Sequence, residues 1–187
     1  MPKLIIIGTN DRYWPVDAVN LYFTDLQGEK HIHYVPNAGH GLGRGAIGAV
    51  STIQALCAAA VEGKALPAST WKFQVEKARV NLRMWPGGRP KAVRLWKSSS
   101  DNRDFRDALW SSTLIEKGSE NDGGARVFED QVDRPVRGFV AVYGELTYDS
   151  GSLEPRVAES EDAPASYEYK LTTNVRVFGS LRASAGQ

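Results

Sequence analysis

A disulfide framework is excluded at once, because the 187 residues hold a single cysteine, Cys57, and one thiol makes no intrachain bridge. Surplus charge of either sign is missing too. Lys and Arg number 23 against 22 Asp and Glu, a net +1, so nothing in the charge balance calls for nucleic acid or an anionic membrane as a partner. No uninterrupted apolar run approaches the roughly 20 residues of a membrane-spanning helix. The sequence has no internal repeat, and the Gly-x-Ser-x-Gly turn that presents a serine nucleophile occurs nowhere in it. The first residues lack the basic start, longer apolar stretch and small-residue cleavage site of a signal peptide. Instead Leu4-Ile5-Ile6-Ile7 follows Met1-Pro2-Lys3 directly, and such a run reads as a fully buried strand of a parallel sheet. A strand of that kind needs neighbours, so the chain is expected to begin in the middle of a domain.

What is present falls into two patterns. To about Leu66, strands alternate with helices. Lys3 to Gly8 is a strand closed by Thr9-Asn10-Asp11; Pro15 opens a helix expected over about Val16 to Asp25; His31 to Val35 is the second strand; a second helix runs from about Ala46 to Glu62. In that helix Ile47, Val50, Ile53, Cys57 and Val61 recur at three and four residues and are expected to form the buried face, with alanines elsewhere for close packing. After Gly63 and Pro67 the period shortens to two. Trp71 to Val75, Ala78 to Leu82, Val93 with Leu95, Gly138 to Leu146 and Tyr167 to Phe178 read as strands. Ser98 to Asp104, Gly118 to Gly124 and Asp149 to Ala165 read as loops, and Ser180 to Gln187 as a tail. The expected division is an α/β part over 1–66, a β-sandwich of immunoglobulin or fibronectin type over 67–179, and a tail over 180–187.

Two strand ends carry the chemistry. Asp11 follows the first strand in Gly8-Thr9-Asn10-Asp11, and His40 follows the second in Pro36-Asn37-Ala38-Gly39-His40-Gly41. Parallel strands end on one edge of the sheet, where active sites collect. A carboxylate there can fix the tautomer of an imidazole and stabilise its cation, which is the acid and histidine part of a serine-hydrolase triad. In α/β-hydrolases the chain order is Ser, then Asp or Glu, then His, and the last two occur here in that order. Taken singly, each residue also has an ordinary reading, Asp11 as a turn former and His40 as a surface histidine.

The segments from Pro2 to Ala18 and from Tyr34 to Leu42, with Val93-Arg94-Leu95-Trp96, Arg103 to Arg106, Trp110 and Tyr169 to Val175, resemble the PhoPQ-activated pathogenicity-related proteins. That resemblance implies an α/β-hydrolase whose C-terminal strands and helices are followed by a β domain, with Asp11 and His40 as triad members. It also implies export from the cytoplasm, to a secreted or periplasmic location, and a distant similarity to peptidases and to a secreted proliferation repressor. The nucleophile elbow belongs upstream of Asp11, where only ten residues lie. These residues are therefore expected to be the C-terminal piece of a hydrolase acting on an ester or peptide bond, inactive alone. The alternative is a binding or signalling protein acting through protein or glycan contacts of its β-sandwich.

No cofactor or metal is expected. Gly43-x-Gly45-x-x-Gly48 matches a dinucleotide fingerprint, but Pro36 to Leu42 separate it from the strand and no parallel strand follows the helix. Its glycines are better read as letting the histidine loop turn and the helix start close to the sheet. His31 and His33 share a strand face without a third ligand nearby. Trp96, Phe105 and Trp110, interleaved with Arg94, Arg103 and Arg106, read as core aromatics rather than a sugar-stacking face.

Overall fold

In the computed structural model, residues 1–116, 118–120, 126–151 and 166–181 are described. The loop expected over Gly118 to Gly124 lies partly outside them, and so do the Asp149 to Ala165 loop and nearly all of the tail. The chain is mostly β-structure in several sheets. β1 (Lys3–Gly8) and β2 (Lys30–Val35) pair in parallel with Leu4 opposite His31 and Ile7 opposite Tyr34. β1 has no second neighbour among the described residues, and its Leu4–Ile7 side chains are half-buried rather than fully buried as expected, whereas β2 is buried from His31 to Val35.

A five-stranded antiparallel sheet follows, built from β5 (Ala92–Ser100), β6 (Ser111–Leu114), β9 (Phe139–Asp149), β10 (Glu168–Thr172) and β11 (Arg176–Gly179). A four-stranded sheet contains β3 (Thr70–Val75), β4 (Arg79–Trp85), β7 (Ser119–Glu120) and β8 (Arg126–Asp133) in the order β3-β4-β8-β7. The two sheets share one apolar core, in which Leu82, Met84, Phe128 and Val132 of the smaller sheet meet Val93, Val142, Leu146 and Leu171 of the larger. The opposite face of the larger sheet is covered as well. Tyr143, Ala141 and Val175 pack with Val16, Val19, Ile32 and Tyr34 of the parallel part, and Phe105 and Trp110 close the same cluster. The conspicuous tryptophan cluster is thus core: Trp110 is 2% exposed and Phe105 3%. The three arginines pair locally, Arg106 with Asp104, Arg103 with Asp17, and Arg94 with the Ser112 hydroxyl.

Several expectations are corrected. The helix expected over Val16 to Asp25 is two short 3-10 turns, Ala18–Leu21 and Phe23–Asp25. Ser98 to Ser100 extend β5 instead of starting a loop, because Ser98 is buried and its hydroxyl donates to the Leu109 carbonyl. β6 and β8 went unexpected, and so did β7, whose Ser119 and Glu120 pair with β8 inside the loop expected over Gly118 to Gly124. The single strand expected over Tyr167 to Phe178 is two, both paired with β9. Between them, Thr173 takes over a hydrogen bond from the Gly144 amide, and Asn174 accepts the Trp71 indole N–H at 2.6 Å.

The long helix, α1 (Ala46–Val61), stands where expected with its faces reversed. Ala49, Thr52, Ala55, Ala58 and Ala59 are buried, while Ile47 (80% exposed), Val50, Ile53 and Val61 face outward, as does Cys57. The physical reason is distance: α1 lies on β10 and β2, and only small side chains permit that approach. Thr52 ties the contact, its Oγ1 standing 2.9 Å from His33 Nδ1 and accepting the Lys170 amide at 3.2 Å. With the 3-10 turn before it, Gly43–Val61 is long and apolar enough, by length and composition only, to cross a membrane; its alanine face is packed inside the fold. Gly45 explains part of the glycine fingerprint, since a Cβ there would stand 2.1 Å from Val35 Cγ1.

Two outcomes are expected. Ala55→Leu overpacks the α1 contact and costs about 1–3 kcal/mol in urea unfolding, whereas Ile47→Ser changes stability by no more than about 0.5 kcal/mol; the reverse order would restore the aliphatic face to the core. Burial, with Lys170 nearby, lowers the His33 imidazole to about 4 from an ordinary 6.5. A base depressed in the folded state costs stability as pH falls from 6.5 towards 4. His33→Gln should flatten that part of the stability profile measured by denaturant unfolding.

Candidate active site

Both site loops leave the C-terminal ends of the parallel strands, and backbone hydrogen bonds continue the pairing past them. The Thr9 amide donates to the Val35 carbonyl at 3.0 Å, and the Asn10 amide to the Ala38 carbonyl at 2.9 Å. The loops cross without room for a side chain at Gly8, where a Cβ would lie 2.2 Å from the Ala38 oxygen and 2.4 Å from that of Gly39. This contact brings two residues 29 positions apart into one pair. Asp11 Oδ2 stands 2.9 Å from His40 Nδ1. Asp11 is 5% exposed, whereas the His40 side chain is 59% exposed.

The pair is held in a defined state. Burial of the Asp11 carboxyl favours its neutral form, but that effect is outweighed by the Tyr13 amide, by His40 and by the Trp14 amide, which together hold it below the ordinary carboxylate value. Asp11 Oδ1 accepts the Tyr13 amide at 2.8 Å, closing the turn that positions the carboxylate. A carboxylate accepts only, so Nδ1 is the protonated nitrogen and Nε2 is left as the base. The Tyr13 ring and the imidazole meet in a T-shaped contact, 4.9 Å between centroids. Among the described residues Nε2 takes no hydrogen bond, the bond of this ring being the one from Nδ1. A cleft of about 490 Å³ runs from there along β1, lined by Ile7, Gly8, Trp14, His40 and Leu42 among others. A second, of about 480 Å³, opens on the other side of Asp11 against Arg103, Asp104 and Arg106.

Family comparison gives the arrangement its context. The model of the PhoPQ-activated pathogenicity-related proteins matches residues 1–106. The chain belongs to this family. The PhoPQ-related match covers both site loops and ends in the β5–β6 connection, short of Trp110 and of the Tyr169 to Val175 segment. A search of curated proteins returned no match. Among solved structures, the crystal structure of a carbohydrate-binding module family 56 β-1,3-glucan-binding domain is 13% identical with a TM-score of 0.32, over 59% of this chain and 98% of that one. A likeness that low carries no argument about fold or ligand.

The other expected features are dispersed. His31 pairs with Glu29 at 2.9 Å and His33 contacts Thr52, so the two serve separate structural contacts. Among the described residues no group of three His, Cys, Asp or Glu side chains could hold a metal. A third cavity, of about 360 Å³, lies at the far end of β2 between Phe23, His31, Leu66 and Trp71, remote from the Asp11–His40 pair. Sequence reasoning did not find Tyr13 against the imidazole, although its place two residues after Asp11 fits an Asx turn.

The depressed Asp11 group contributes stability that is present above its unfolded value, about 3.9, and lost as pH falls through its folded value. Wild-type and Asp11→Asn chains should therefore differ most well above the ordinary carboxylate range and converge once pH has fallen through the lowered folded value in urea unfolding. A difference constant across that range would show that the carboxylate charge has no part in holding the loops.

Proposed function

We propose that Asp11 and His40 are the acid and the base of a serine hydrolase acting on an ester or peptide bond, with β1 and β2 as the last strands of an α/β-hydrolase sheet. The observation that carries this reading is the Asp11 Oδ2 to His40 Nδ1 bond of 2.9 Å, on a histidine whose side chain is more than half exposed and lines a cleft. Among the described residues β1 pairs with β2 alone, and a strand added in parallel on its free edge would end on the same edge of the sheet as both site loops. The hydroxyl comes from outside the described residues. Nε2 would take the serine proton as Oγ attacks the carbonyl carbon, and the imidazolium, stabilised by Asp11, would give that proton to the leaving oxygen or nitrogen. Water would then repeat the sequence on the acyl-enzyme, with His40 again as base. Export, and the division into a hydrolase part to 66 and a β-sandwich from 67, belong to the same reading.

The alternative is a binding protein acting through its β-sandwich on glycan or protein; the aromatic cluster offers it no open stacking face, since Phe105 and Trp110 are buried and partly buried Trp96 is stacked on Tyr143. A polypeptide of this family carrying both this segment and a Gly-x-Ser-x-Gly elbow decides the matter. A fluorophosphonate probe should label its elbow serine, Asp11→Asn should lower kcat about 10⁴-fold, and His40→Ala should lower it further. A folded protein that is not labelled, or full activity after His40→Ala, would overturn the proposal.

A further inference from the structure

The connection between β5 and β6 lies on the two site loops and is bound to them by asparagines. Asn10 Nδ2 donates to the carbonyls of Phe105 and Arg106 at 3.1 Å each and of Ala108 at 2.7 Å. Asn37 grips the next turn at two points: its Oδ1 accepts the Trp110 amide at 2.8 Å, and its Nδ2 donates to the Trp110 carbonyl at 3.0 Å. Thr9, 1% exposed, joins them. Its hydroxyl donates to Asn10 Oδ1 at 2.9 Å and accepts the Asn37 amide at 2.9 Å. One hydrogen-bonded chain thus runs from Phe105 through Asn10, Thr9 and Asn37 to Trp110. Phe105 and Trp110 are anchored in the core beneath.

Each asparagine sits beside a member of the pair: Asn10 immediately precedes Asp11, and Asn37 stands three residues before His40. The side-chain type is required at both. A planar amide offers a donor and an acceptor together; an aspartate at 10 would turn a carboxylate onto three carbonyl oxygens, and a serine would be too short. Asn37 also has φ 55°, and Asn enters this left-handed region more readily than most residues. Of the outer ion pairs, Arg12–Asp107 is largely exposed and Arg103–Asp17 has its arginine exposed, and such surface pairs contribute little. The histidine loop, with Gly39, Gly41 and Gly43, is closed by main-chain bonds such as the Leu42 amide to the Gly39 carbonyl at 2.9 Å, and Asn37 ties that turn to the 105–110 segment.

We infer that Asn10 and Asn37 are positioning residues that set the Asp11–His40 geometry through residues 105–110, so that the β-sheet part of the chain is built into the site. The inference rests on the acid–base reading above, but its test does not require turnover. In the ¹⁵N-labelled 187-residue chain, the His40 Nδ1–H signal should be lost or broadened by exchange in Asn10→Asp and in Asn37→Gly, the latter keeping the backbone free of strain at φ 55°. Asn37→Asp, which retains the acceptor for the Trp110 amide, should restore part of it. Circular dichroism checks that each variant is folded. In the unsubstituted chain, the Trp110 and Asn37 amides should be protected from hydrogen exchange as well as those of β2. Folded variants with an unchanged His40 signal, or Trp110 and Asn37 amides that exchange as in an open loop, would overturn the inference. In a catalytically active family member, the corresponding Asn10→Asp should lower kcat about 10²-fold with KM little changed. Unchanged kcat with a lost His40 signal would instead count against the acid–base reading and leave the positioning role standing.

Discussion

Strand β9 is buried on both faces, from Val140 to Tyr148, and the rest of the chain is arranged around that constraint. A sheet strand with one wet face alternates apolar and polar residues; this one cannot, and its sequence Phe-Val-Ala-Val-Tyr-Gly-Glu-Leu-Thr-Tyr reflects two dry environments. Val142 and Leu146 meet the four-stranded sheet, while Ala141 and Tyr143 meet the parallel strands and the turns around Val16. The polar members of β9 are matched only in part, since among the described residues the Tyr143 hydroxyl and Glu145 Oε2 have no hydrogen-bond partner. Buried Glu145 receives the Lys170 ammonium at 3.1 Å, and Thr147 Cα-pairs with Ala92 and Lys170 in the ladders. Because both cores rest on one strand, the parallel part and the β part stabilise each other.

How much of this could be read from the residues follows from the range of the interactions involved. β1, β2 and the turns after them are legible because strand, turn and polar terminus are neighbours in sequence. The limits of α1 were legible for the same reason. Its buried face was not: a helix with an aliphatic stripe and an alanine stripe offers two solutions, and the closeness of β10 selects the second. β8 hides its strand character because Val127 and Phe128 are both buried while Glu129 and Asp130 break the alternation. β6, Ser-Ser-Thr-Leu, is a polar strand beside β5 that little in its composition distinguishes from a loop.

The same rule of range divides the site. Asp11 and His40 belong to motifs that are complete within a few residues. Asn10 and Asn37 look like ordinary turn formers, and their partners lie 95 to 98 and 73 positions away. No local spacing announces such a contact. The electrostatics follow the geometry in turn: a nearly inaccessible carboxylate is kept ionised by backbone amides and by the imidazole, and the histidine that bears it is more than half exposed.

The long reach of Asn10 also sets an order of events during synthesis. Its carbonyl partner in Ala108 leaves the ribosome 98 residues later, after the parallel strands, α1 and three strands of the β part have emerged. Closing so long a loop is slow compared with forming local turns. The acid and the imidazole are thus made well before the segment that aligns them, so that a nascent chain carries the residues of the site before it carries the site itself.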